Sequence, residues 1–443
     1  MTRSNRLRFG VLPVVLAAAW ATPVAQAVRL DLTTGVTGEY SSNILRTERN
    51  EEEELTGIVW GGISAREEAA NLTAELAALV ESRQYINDTV GDEILLSLAA
   101  LADWMILPQR LNWHFEDYFQ QATVNPLETI SPDNRQDTNV LWTGPDLYFR
   151  FARLYTLQLG ARYGNFYYEE TAGDNQRLAG YARAIRRLSP DGELYLHGER
   201  MHADYDHPGA TDVLGITIRD FDRTDAYVGY RWSSILTELL LEGGYSRIER
   251  DGAEAVDEPL ARLTLRRALP REGETGLRLS SQLTEGGGRL LASSGGRFDV
   301  DPHSTAVSQD IALERYAELF YFSRWRGVGT DIRAFWRDED YQESVFDEEA
   351  AGVALHIGYP FAPAWVGRLF GRYEHVDFGL IDRKDRRGVL GIGAFHRLSR
   401  RITIDFELRD EWQDSNAAGH DFNEIIALVE LRYGDRPSWA PTR

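Results

Sequence analysis

The stretch Arg401-Ile402-Thr403-Ile404-Asp405-Phe406-Glu407-Leu408-Arg409-Asp410 decides how this chain is read. Apolar Ile402, Ile404, Phe406 and Leu408 alternate without a break with Thr403, Asp405, Glu407 and Arg409. Side chains of an extended strand point to opposite faces in turn, so this is a strand with one apolar and one charged face. The same period returns at Ala261, Leu263 and Leu265 against Arg262, Thr264 and Arg266, and at Leu277, Leu279 and Leu283 against Arg278, Ser280 and Gln282. It returns again where Ile425, Ala427, Val429 and Leu431 face away from Glu424, Glu430 and Arg432. Strands of soluble sandwiches are mostly about five or six residues long. These run to about twice that, the length a tilted strand needs to cross a bilayer.

From Leu30 to Tyr433 the connections alternate between short and long. Short ones fall near Ala69, Leu107-Pro108, Ala152-Arg153, Ser189-Pro190, Ser233-Ser234, Pro270-Arg271, Arg326-Gly327, Pro360 to Pro363 and Ser399-Arg400. Longer polar ones include Arg46–Glu53, Ala122–Asp137, Asp206–Asp220, Arg250–Asp257, Gly286–Gln309, Asp377–Arg386 and Gln413–His420. Outer-membrane barrels have short periplasmic turns and longer extracellular loops. The expected fold is therefore all-β: a transmembrane antiparallel up-and-down barrel of about 20 strands spanning residues 28–433. An even count places both ends of the barrel in the periplasm. The segment 66–104 also carries a helical stripe of Leu72, Leu76, Leu79 and Val80, and a partly helical reading there would lower the count to 18.

Composition narrows the class. Residues 1–27 combine Arg3, Arg6 and Arg8, an apolar run from Val11 to Ala21 and the terminal Ala25-Gln26-Ala27, the pattern of a cleaved signal peptide. Residues 434–443 are expected to form a short periplasmic tail. No cysteine is present, which excludes a disulfide scaffold and a thiol nucleophile. A net charge of −21 disfavours a nucleic-acid partner, because that binding rests on neutralising phosphates. Of 48 basic residues only Lys384 is lysine. Trp60, Trp104, Trp113, Trp142, Trp232, Trp336, Trp365 and Trp412 stand towards strand ends, as expected of aromatic girdles at the two membrane interfaces.

The charged faces are where function is expected. Candidate lumen-lining residues are Arg262, Arg266, Arg278, Arg333, Arg337, Arg368, Arg372, Glu238, Glu242, Asp405 and Glu407. Glu116, Glu424 and Glu430 lie on the same kind of face. A sheet buried on both sides could not carry them without a large desolvation penalty. Two readings stay open: cross-strand ladders that stiffen the wall, or a conduit lining that selects what passes. The histidines, among them His114, His197, His202, His356, His375 and His396, show no metal-ligand spacing. Neither Ser280-Ser281 nor Ser293-Ser294-Gly295 has the context of a nucleophile elbow. No catalytic residue, metal or cofactor is expected. Glycine and proline inside the strand at Thr143-Gly144-Pro145-Asp146 predict a bulge or bend. Asn134 and Asp146 are read as turn caps before ligands.

The segment Gly38-Glu39-Tyr40-Ser41-Ser42-Asn43-Ile44 resembles the opening of bacterial β-barrel porins linked to polysaccharide operons. Ile106-Leu107-Pro108-Gln109-Arg110-Leu111-Asn112-Trp113 resembles the PEP-CTERM/exosortase-system-associated outer-membrane β-barrel family. So do Glu116-Asp117-Tyr118 through Asn125-Pro126, Pro132-Asp133-Asn134-Arg135-Gln136 and Thr143-Gly144-Pro145-Asp146-Leu147. The recognisable motifs concentrate in the first third, and from about Gly286 onward only the pattern is similar. The resemblance implies an outer-membrane protein associated with exopolysaccharide or exported-polymer secretion, and brings no site residues with it. Expected partners are outer-membrane lipid and lipopolysaccharide, with the polysaccharide export machinery beside them. The leading expectation is a porin-like conduit, the other a structural or surface-interaction barrel. Strand one follows Ala27 closely, so a constriction is expected from an inward-folded loop. Ala122–Asp137, with its two prolines, is the candidate for a fixed constriction, and Gly286–Gln309 for a flexible one.

Overall fold

The computed structural model describes residues 28–434, apart from 126, 130, 213–214, 271, 286–309 and 345–346. The expected signal peptide, the loop Gly286–Gln309, the tail from 435 and Arg271 of its turn lie outside the described residues. Twenty strands follow one another. The first ten are β1 Arg29–Ser41, β2 Glu54–Glu68, β3 Leu72–Tyr85, β4 Glu93–Leu107, β5 Leu111–Thr123, β6 Arg135–Phe151, β7 Tyr155–Tyr168, β8 Asn175–Arg187, β9 Gly192–Tyr205 and β10 Phe221–Ser233. The second ten are β11 Thr237–Arg250, β12 Val256–Leu269, β13 Gly273–Thr284, β14 Ala312–Trp325, β15 Val328–Tyr341, β16 Glu348–Ala362, β17 Trp365–Phe378, β18 Arg383–Arg397, β19 Ile402–Ser415 and β20 Phe422–Tyr433.

Each strand pairs antiparallel with its neighbours in sequence, and β1 pairs with β20 from Thr34↔Tyr433 to Ser41↔Ile426. That last ladder closes the ring. Closure leaves no open sheet edge along the paired length and satisfies the backbone internally, as hydrocarbon requires. The count is the twenty expected. The ambiguous segment 66–104 is extended, with β3 and β4 in continuous register from Leu72↔Trp104 to Arg83↔Glu93. Leu72, Leu76 and Val80 face outward and Leu79 inward, so the four do not form one stripe.

The connections differ at the two ends. At one end they are two to four residues long, as at 69–71, 234–236 and 326–327. At the other they reach much further, as at 42–53, 124–134 and 206–220. Both ends of the barrel lie on the short-turn side, which is the periplasmic side of such barrels. An epitope inserted at 207–209 should be bound by antibody on intact cells, and one inserted at 234–236 only after the outer membrane is broken. Reversed labelling would overturn this orientation.

Cross-strand partners share a face, so the register carries one face assignment around the ring. The outer face holds Leu32, Val59, Leu178, Leu196, Leu319 and Leu390, each more than half exposed. A belt of exposed leucine and valine on every side is what a lipid-facing wall presents. Two tryptophans depart from the girdle expected of them. Trp60 faces the lumen, 4% exposed, and its Nε1–H donates to Glu430 Oε2 at 3.2 Å. Trp142 also points inward, edge-on to Phe166. Both stand on the parity of polar neighbours, which outweighs their position along the strand. Trp104 and Trp113 do stand on the outer face, half-exposed.

At Gly144-Pro145, where a bulge or bend is expected, one ladder is interrupted but no register shift occurs. β5 pairs through it without a shift, His114 opposite Gly144 and Trp113 opposite Pro145. Between β6 and β7 the ladder lapses only there, and resumes in the same register at Asp146↔Gly160. The Ala161 carbonyl oxygen lies so close that a Cβ on residue 144 would meet it at 1.9 Å, so only glycine fits.

Candidate functional site in the barrel lumen

All eleven candidate residues stand on the inner face. Arg262 Nη1 pairs with Glu242 at 3.2 Å, Arg278 with Glu318 at 2.9 Å, Arg333 with Asp331 at 3.2 Å and Arg372 with Glu374 at 3.1 Å. Arg337 pairs with Glu348 and, at 3.4 Å, with Glu339. Arg368 reaches two strands along to Asp405 at 2.9 Å and Glu407 at 2.7 Å. Glu238 and Arg266 are direct cross-strand neighbours at the periplasmic end of β11 and β12, yet form no ion pair. Most of the set is thus tied into ladders along the wall.

One such ladder climbs the whole wall. Arg409 joins Glu407 at 2.8 Å to Glu411 at 2.7 Å, and Arg46, in the connection after β1, joins Glu411 at 2.5 Å to Glu424 at 2.8 Å. Glu424 also accepts from Ser41 Oγ, and Glu430 from Trp60 and Thr37. A second network links Asp146, Arg162 and Tyr181. Asp146 is therefore a lumen acceptor and not a turn cap. A third sets His114 between Asp103 at 2.8 Å and Glu116 at 2.7 Å.

The extracellular half of the lumen is crossed by the loop 124–134. Asn134 binds its root: its Nδ2 donates to the carbonyls of Asn125 and Thr129, and its Oδ1 accepts from the Asn125 amide. Asn134 is the cap the sequence suggested. From that root the loop reaches across to the far wall. There Leu127 packs against Ala350, Val376 and Phe378, which face inward from β16 and β17. Arg383 on β18 donates from Nη1 to the Leu127 carbonyl at 2.6 Å. In a ring of twenty, β5 and β6 stand almost opposite β16 to β18, so the loop is a bar across the mouth. His420, near the landing point, has its pKa lowered by burial and by Arg383.

A second long connection packs onto the inner wall. The connection 206–220 folds back through a Thr211↔Thr217 bridge. It buries Ile218 among Met201, Ala203, Tyr205, Phe221, Ile248 and Ile311. Glu285, just past β13, reaches β8 and forms a two-pronged pair with Arg177 at 2.6 and 2.8 Å. The Arg177 guanidinium lies 3.8 Å above the Phe166 ring. Asp310 accepts the amides of Glu343 and Ser344. Burial pushes its carboxyl above the usual value, while those amides and Arg250 act the other way. Sequence reasoning missed Arg177, Glu285 and Leu127. Their partners are 108 and 256 residues away, and no local pattern signals them.

A family model described as "Putative beta-barrel porin 2" matches residues 343–434. That is the last fifth of the chain, where resemblance to the polysaccharide-linked porins rests on pattern alone. No curated protein matches the chain. Among solved structures it is similar to the ferric enterobactin receptor PfeA of Pseudomonas aeruginosa at 10% identity, covering 91% of this chain and 81% of that one, with a TM-score of 0.44. It is similar to the FrpB iron transporter of Neisseria meningitidis at 9% identity, covering 91% and 82%, with a TM-score of 0.42. A loop-deleted OmpT of Vibrio cholerae is 9% identical, with coverage of 92% and 100% and a TM-score of 0.38. What those receptors bind is a property of those receptors. The closed ring, the apolar outer belt, the charged interior and the porin-family match make this chain a porin-like β-barrel of the outer membrane.

Proposed function

We propose that the protein is a loop-barred conduit of the outer membrane, not an enzyme, and that it serves the secretion of an exopolysaccharide or related exported polymer. The observation that supports the conduit is the bar 124–134, pinned by Asn134 at its root and by Arg383 at its far end. A barrel that only anchored a surface partner would not need a loop docked across its own lumen. The polymer rests on the resemblance of the first third to barrels linked to polysaccharide export. Lipopolysaccharide around the belt and the export machinery on the periplasmic side are the partners this reading assigns.

Shortening 124–134 should raise single-channel conductance in planar bilayers several-fold over the parent, and deleting the gene should reduce surface polysaccharide. If the shortened, correctly folded barrel conducts no better, the bar is not the constriction. The second reading, a structural barrel, is favoured by the ladders that pair most of the lumen charges. A folded protein silent in both assays would support it.

A further inference from the structure

The inner face is divided by charge. On the seven consecutive strands β19, β20 and β1 to β5, the register turns fourteen carboxylates inward against five arginines. On the seven strands β7 to β13 it turns ten arginines inward against seven carboxylates. The centres of these arcs, β2 and β10, are eight strands apart in a ring of twenty, close to opposite. Charges on low-dielectric walls focus their field into the enclosed space, where it acts on any solute that enters.

Pairing sharpens the contrast. On the basic arc, Arg183 contacts the His197 ring and the Tyr195 face, and has no carboxylate partner among the described residues; nor does Arg266. On the acidic arc, Glu39 points inward from β1 and is 8% exposed. It makes no hydrogen bond or ion pair among the described residues. Arg83 on β3 and Arg409 on β19, two strands away on either side, attract its charge, but each is ion-paired with other carboxylates. A buried carboxylate whose charge is only partly offset from a distance is costly, and a passing cation relieves it.

We propose that the acid-lined arc, with Glu39 as its specificity-determining residue, makes this conduit prefer cations and amine-bearing solutes over anions. For an exported polymer, the preferred class is then a neutral or amino-sugar glycan and not a polyanion. This rests on the conduit reading. The test is the reversal potential of the barrel with 124–134 shortened, measured across a tenfold potassium chloride gradient. Potassium should permeate several-fold better than chloride. Glu39→Gln combined with Asp103→Asn and with Glu75→Gln, which faces inward on β3 opposite Arg66, should bring the ratio towards one, and Arg183→Gln with Arg266→Gln should raise it. Circular dichroism and gel mobility of the folded barrel check that each variant has formed. Open channels with no preference, or a preference for chloride, overturn the inference and leave the conduit standing. Absence of channels removes the conduit itself, and the inference with it.

Discussion

Arg177→Met alone is expected to destabilise the folded barrel by about 3–5 kcal/mol, whereas Arg177→Met together with Glu285→Leu costs much less. The pair is sealed, with side chains 1% and 2% exposed. Two charges brought out of water are held because they are paired and hydrogen-bonded to each other and their surroundings. Glu285 takes both prongs of the guanidinium, Asn175 Oδ1 takes the Nε–H, and the Phe166 ring lies beneath it. Removing the guanidinium leaves the Glu285 carboxylate in the same enclosure without the cation that neutralises it. The double change replaces both with apolar groups beside the cluster around Ile218, which tolerates them. Denaturant titration in lipid, run as a double-mutant cycle, reads the difference. If Arg177→Met unfolds with the parent, the bridge does not hold β8 to the end of β13.

The ring and its faces were legible because they depend on local information. A two-residue period assigns each side chain to one face, and alternating connection lengths give strand count and orientation. The candidate charges at Arg262, Asp405 and Glu407 followed from that parity, and they stand on the inner face. Trp60 was misread because its position along the strand was weighed above its parity with Glu54 and Thr56. At Gly144-Pro145 the local irregularity is legible but the absence of a register shift is not. Local rules price the lost ladder hydrogen bonds, but unbroken pairing on the β5 side holds the register, and the missing Cβ lets the Ala161 carbonyl close in. Loop length and two prolines mark the bar in the sequence. Its landing on Leu127, Ala350 and Arg383 depends on the diameter of the closed ring, which no segment of sequence contains.

The membrane itself is tested by two adjacent residues. Leu263 lies near the middle of β12, in an outer row between Leu241 on β11 and Leu279 on β13. Leu263→Arg places a cation against hydrocarbon and should cost about 2–4 kcal/mol if the site is near the midplane. Arg262, one residue earlier, faces the opposite way, bonded to Gln282 Oε1 at 2.6 Å and Glu242 at 3.2 Å. Arg262→Leu loses a partly exposed ion pair in a polar lumen, a change of about 1 kcal/mol or less. Glu242 keeps its hydrogen bond from the Tyr195 hydroxyl at 2.5 Å. The two substitutions are adjacent on one strand and exchange the same two side chains, neither of them a strand breaker, so the backbone is disturbed little by either. Only the medium on each side can. Unfolding free energies in lipid vesicles should therefore differ by at least 1 kcal/mol, with Leu263→Arg the weaker barrel. In a detergent that wets the outer wall the gap should narrow, because the arginine can then reach water. Equal damage from both changes would mean that Leu263 does not face lipid.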